Sequence, residues 1–134
     1  PLALDEERLV SSIFGNSIDY SRVRLIPTGI LEYRTVANTI RIPENFTIRD
    51  QDMAQTLIHE MTHVWQAQTR GRWYLLLMRH PWCRYDYVLK ANTPFAHYGI
   101  EQQAEIVRHA FLSRHGVCAA GAPPQDALEA LLPF

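Results

Sequence analysis

Apolar residues recur at helical spacing in four stretches of the chain and alternate in two. Leu9, Val10, Ile13 and Phe14 predict an amphipathic helix over residues 5–14, closed by Gly15-Asn16. The period then changes. Residues 20–27 alternate in their middle as a strand does, Thr28-Gly29 reads as a turn, and residues 39–43 alternate again up to Pro43. Residues 30–36 offer a third strand between them. A long helix is predicted from an Asp50 or Asp52 N-cap to about Arg70, with Gly71 as its stop. Ile100, Ala104, Val107 and Phe111 mark a second long helix over about residues 99–115, ended by Gly116. After the Ala122-Pro123-Pro124 hinge, residues 125–132 form a short last helix with Leu128, Leu131 and Leu132 to bury. Residues 72–98 hold no sustained period, and a loop-rich segment with a short helix near residues 85–90 is expected there. The fold class is α+β: a small N-terminal sheet of two or three strands packed on two long helices (about 50–70 and 99–115), with short helices at the ends. Residues 1–134 form one domain, without repeat, low-complexity tract or linker.

The first long helix has two unlike faces. Met53, Leu57, Met61 and Val64 make an apolar stripe, and His59, His63, Gln66 and Arg70 lie on the far side. Such a helix packs on a core by one face and lines a cleft with the other. The polar face contains His59-Glu60-Met61-Thr62-His63, the pattern H-E-x-x-H. Histidines at i and i+4 stand one turn apart, so both imidazoles can reach one metal ion. Glu60 points about 100° around the axis, suited to hold a water on that ion and too far round to be a further ligand. The bland alternative is a pair of histidines that merely decorate a polar face. The apolar stripe, the helix and a downstream Glu-x-x-Ala together argue for the metal.

Two imidazoles alone hold zinc weakly, and a catalytic site needs a third protein ligand with one position left for water. Glu101 is the best candidate, because Ala104 three residues on lets two helices approach closely. Glu105 is a weaker one, since Arg108 and His109 at i+3 and i+4 can pair with it on the surface. His97, or no third ligand in this chain, is what remains. A peptidase also wants a donor for the oxyanion. His97, Tyr98 and Arg70 are available, each equally readable as a loop residue, a half-buried aromatic and a solvated helix end. His80, His109 and His115 receive no role. Trp73, Tyr74, Trp82, Tyr85 and Tyr87 read as core or cleft wall, with a peptide-binding wall or partner face as the alternative.

Composition narrows the classes. The chain has 134 residues, 47% hydrophobic and 20% charged, with a formal net charge of −1. That is an ordinary globular balance, without the basic excess of a nucleic-acid binder. The longest apolar cluster, residues 73–78, is far too short to span a bilayer. Cys83 and Cys118 lack metal-site spacing and are expected to be thiols rather than a disulfide. No basic–apolar leader opens the sequence. Synthesis in the cytoplasm, with export by a dedicated secretion system, is the expectation.

The run His59-Glu60-Met61-Thr62-His63-Val64-Trp65-Gln66, followed by Glu101-Gln102-Gln103-Ala104, resembles the compact HExxH-plus-glutamate metallopeptidases of the gluzincin type. More narrowly, it is similar to small peptidase-like domains found with bacterial contractile injection and type VI secretion loci. The likeness spans about residues 23–111. It implies one Zn²⁺ held by His59, His63 and Glu101, with Glu60 as general base, and a protein or peptide substrate. The leading expectation is therefore a zinc metallopeptidase, as an effector or processing domain of a secretion system. A zinc-bound, catalytically quiet module docking onto a secretion-apparatus component is the alternative. A toxin that hydrolyses something other than protein is the third.

Overall fold

The computed structural model describes residues 1–29, 33–71, 73–74 and 82–134. Helix α1 spans Leu4–Phe14. Strands β1 (Arg24–Thr28), β2 (Arg34–Val36) and β3 (Thr39–Pro43) follow. Then come the long helix α2 (Gln51–Arg70), helix α3 (Ile100–Arg114) and helix α4 (Gln125–Leu131). The α+β arrangement is the one expected from the hydrophobic pattern.

The strands form one sheet in the order β1-β3-β2. β1 runs parallel to β3, with Arg24 opposite Thr39, and β2 runs antiparallel to it, with Thr35 opposite Ile40. β2 and β3 are joined through Ala37 and Asn38, and Ala37 takes a φ of 52°, the positive region that a tight hairpin turn requires. Ile40 and Ile42 point into the core, which continues through Val10, Ile13 and Phe14 of α1, Leu57, Met61 and Val64 of α2, and Ile106, Val107 and Phe111 of α3. Phe134 seals one end against Phe14 and Trp65, with ring centroids 4.8 and 5.3 Å away.

Asp50 caps α2, its carboxylate accepting from the backbone N–H groups of Asp52 and Met53. Gly71 ends the helix with a φ of 96°. The 20 residues between run about 30 Å, long enough to carry the H-E-x-x-H segment in mid-helix, away from fraying ends. α3 packs along the polar face of α2, and Ala104 is fully buried between them. The face expected to line a cleft is thus largely covered: His63 and Gln66 are buried.

Two local expectations are corrected. Residues 20–22 form a short 3-10 turn ahead of β1 rather than its first residues, because the Asp19 side chain accepts from Ser21 N–H and folds the chain back. Residues 85–90 form no helix. Their backbone groups bond elsewhere: Gln102 Nε2 donates to the Asp86 carbonyl, and Lys90 N–H donates to the Tyr98 hydroxyl. The first part of the strand expected at 30–36, the apolar run at 73–78 and His80 lie wholly or partly outside the described residues. Trp73, Trp82 and Tyr85 are exposed rather than core. Cys83 and Cys118 are not joined in a disulfide.

Replacing the α2 cap, Asp50→Ala, should cost about 1 kcal/mol, since two helix N–H groups lose their acceptor. Urea unfolding of the metal-free protein measures it; an unchanged midpoint would mean that the cap contributes nothing.

Candidate metal centre

The site is assembled across the contact between α2 and α3. His59 and His63 project from successive turns of α2, and Glu101 comes from the first turn of α3. Glu101 Oε1 stands 2.8 Å from His63 Nε2 and 3.1 Å from His59 Nε2. Both imidazoles therefore aim the same nitrogen at one carboxylate oxygen. The ligand atoms of His59, Glu60 and His63 lie within 4.8 Å of one another. His63 is 0% exposed, Glu101 2% and Glu60 4%, whereas the His59 side chain keeps 13%. Solvent reaches the cluster from the His59 side, where the exposed Tyr85 ring stacks on the imidazole at 5.9 Å and 15°.

Each imidazole is also held from behind. His63 Nδ1 lies 2.8 Å from Gln66 Oε1. The Gln66 amide nitrogen is committed to the Ile100 carbonyl and to Gln103 Oε1, both at 2.9 Å. Gln66 Oε1 can then only accept, so His63 donates Nδ1–H to it and turns Nε2 toward Glu101. Gln103 completes the chain by donating to the Tyr98 carbonyl at 2.9 Å. His59 Nδ1 meets Glu105 Oε2 at 2.8 Å, and Arg108 grips Glu105 through two bonds of 2.7 Å. Such backing fixes ring orientation and raises the basicity of the forward nitrogen.

Electrostatics in the metal-free site follow from this packing. Burial opposes charge on His59, but the hydrogen bonds to Glu101 and Glu105 and the nearby Glu60 outweigh it and lift its pKa from 6.5 to about 9. Burial likewise opposes charge on Glu105, and the bonds to His59 and Arg108 overcome it, lowering its pKa from 4.5 to about 2. The donor set itself, two imidazole nitrogens and one carboxylate oxygen with a second carboxylate beside them, is of a kind that can hold a divalent metal ion. Glu60 Oε2 is buried with no hydrogen-bond partner among the described residues, as a group awaiting a donor would be.

His97, Tyr98, Arg70 and His109 are not hydrogen-bonded to this cluster among the described residues. His97 is exposed in a 3-10 turn, Phe95–His97. With Tyr98 it lines a separate cleft of about 270 Å³ beside residues 84–93. The Tyr98 hydroxyl accepts from Lys90 N–H. Arg70 ends α2, its guanidinium 5.7 Å from the Tyr74 ring centre. His109 bonds Tyr87 and Arg108 instead of Glu105. Glu105 does pair with Arg108, as its spacing suggested, yet the same carboxylate turns inward to His59. The signal was available: Glu101 and Glu105 are i and i+4, so they share a helix face as His59 and His63 do.

No protein-family model matches the chain. Among solved structures, the effector domain of Pseudomonas aeruginosa VgrG2b superposes with a TM-score of 0.66 at 28% identity, over 96% of this chain and 79% of that one. The type VI secretion system spike protein VgrG2b of Pseudomonas aeruginosa is 33% identical over 133 aligned residues. The chain is homologous to that effector domain. This links it to type VI secretion. The matched stretch is 85% of this chain but 13% of the spike protein, so it spans a small part of its relative. No helix among the described residues is long and apolar enough to cross a membrane.

The His59 and Glu105 shifts set a pH dependence for the metal-free protein. The His59 contribution is complete below pH 6.5 and lost as pH rises through about 9; the Glu105 contribution is complete above pH 4.5 and lost as pH falls toward 2. Urea midpoints should therefore decline between pH 6.5 and 9, and His59→Ala should flatten that decline. Parallel curves for the two proteins would refute the assignment.

Proposed function

We propose that this chain is a zinc-dependent peptidase domain acting as a type VI secretion effector. The observation that carries the reading is the meeting of His59 Nε2 and His63 Nε2 on a single Glu101 oxygen, with the buried, unpartnered Glu60 Oε2 beside them. His59, His63 and Glu101 would hold one Zn²⁺, whose positive charge would offset the two carboxylates buried there. When bound, the ion would polarise a water and the substrate carbonyl.

The chain's own residues supply the rest. Glu60 accepts the water proton as oxygen adds to the peptide carbonyl, then delivers it to the departing amine. Gln66 holds His63 in the tautomer that leaves Nε2 available. Glu105, steadied by Arg108, does the same for His59. The His59 edge is the accessible one, so an extended peptide approaches past Tyr85. Homology to an effector domain of a secretion-system spike supports the delivery half of the proposal.

The burial of His63, Glu60 and Glu101 favours one second reading, a metal-holding module that docks onto the secretion apparatus without turnover. Two variants divide the readings. Metal analysis should find about one zinc per chain, lost in His59→Ala. Glu60→Gln should keep the zinc and slow hydrolysis of a proteome-derived peptide pool about a thousandfold, read by mass spectrometry. Zinc retained with no cleavage by the wild type would favour the docking module; no zinc in the wild type would end both.

A further inference from the structure

Two buried side-chain atoms lack a hydrogen-bond partner among the described residues: Glu60 Oε2 and the Tyr33 hydroxyl. Native folds avoid this arrangement, because each such atom has given up its hydrogen bonds to water. That both occur in one small domain invites a common cause. Tyr33 stands immediately before β2, one of the two edge strands of the sheet. Two residues on, the Thr35 hydroxyl donates to the main-chain carbonyl of Glu60 at 3.4 Å. In extended chain, residues two apart share a face. The alternating burial of residues 33–36 puts Tyr33 on the side of Thr35, and Glu60 stands near enough for its charge to act on the phenol. Its ring is braced edge-on against Phe46, with centroids 6.2 Å apart. Burial, with Asp50 and Glu60 nearby, keeps the phenol above its ordinary pKa, so the hydroxyl remains a proton-bearing donor.

The pair has complementary needs. Ionised Glu60 Oε2 can only accept, and the Tyr33 O–H seeks an acceptor. One small group that donates to the first and accepts from the second would satisfy both, and a water molecule does so. We infer that Tyr33 is a catalytic residue of the hydrolytic site, its hydroxyl donating to the oxygen that Glu60 deprotonates. In the reaction the new O–C bond forms as Glu60 takes the water proton. The C–N bond breaks as Glu60 returns that proton to the amine. Tyr33 keeps its proton throughout. The inference rests on the peptidase reading and adds a donor to the attacking oxygen; His97 and Tyr98 make no hydrogen bond to the cluster among the described residues.

Tyr33→Phe tests it in the full chain, with three readouts. Thermal unfolding of the metal-free variant should match or exceed that of the wild type, since a hydroxyl without a partner supports no fold. The Co²⁺-loaded variant should show the wild-type visible spectrum but bind acetohydroxamate about tenfold more weakly, because the probe's oxygens occupy the reacting position. Hydrolysis of the peptide pool should fall about a hundredfold in kcat with KM nearly unchanged. A marked drop in Tm would make the hydroxyl structural and overturn the inference. So would wild-type acetohydroxamate affinity together with wild-type kcat. If the wild type takes up no Co²⁺ or cleaves nothing, the peptidase reading fails and this inference falls with it. If the wild type is active and Tyr33→Phe equals it, the inference alone fails.

Discussion

The architecture turns on one constraint: two imidazoles on one helix must meet a carboxylate on another at hydrogen-bonding distance, inside a dry contact. Burying polar groups is costly unless each finds a partner. α2 and α3 meet this demand with a continuous polar seam. Glu105 and Arg108 back His59, Gln66 backs His63, and Gln103 ties Gln66 to the loop before α3. The small Ala104 side chain lets the helices come close enough for the seam to close. β2 and β3 also pack on α2, so that helix is held by the sheet as well as by α3.

That seam also accounts for the division of labour in the site. His63 is deeply enclosed and its tautomer is dictated by an amide with no freedom left. His59 lies at the accessible edge, beneath Tyr85, and its partner is a charged pair rather than an amide. The two histidines have the same forward geometry but different electrostatic surroundings. The enclosed one is shut off from solvent, and the outer one lies where solvent reaches the cluster. On the sheet side, β2 contacts α2 at the Glu60 turn through Thr35, so the edge strand is fixed relative to the same site.

Much of this was legible in the chain, for definite reasons. The helices were readable because their apolar residues recur at the helical period between clear stops at Gly71 and Gly116. His59 and His63 were readable because i, i+4 spacing puts them on one face, with Glu60 about 100° round from His59. Glu101 followed from its small neighbour at i+3. What escaped was governed by contacts between distant segments. The 85–90 stretch has a composition that suits a short helix, yet its backbone is bonded to Gln102 and to Tyr98, which local spacing does not disclose. Glu105 looked like a surface partner of Arg108 because that pairing is local; its second contact, to His59, spans 46 positions. Tyr33 had no local signal, since its significance lies in lacking a partner in a place only the folded chain defines.

The central claim, an ion held by two imidazoles and one carboxylate with an open position, is tested most directly by X-ray absorption at the zinc edge of the loaded protein. The account predicts two imidazole nitrogens at about 2.0–2.1 Å and oxygens at about 2.0–2.2 Å in a four- or five-coordinate shell. A shell containing sulfur at about 2.3 Å, or one without the outer-shell scattering of two imidazole rings, would contradict it.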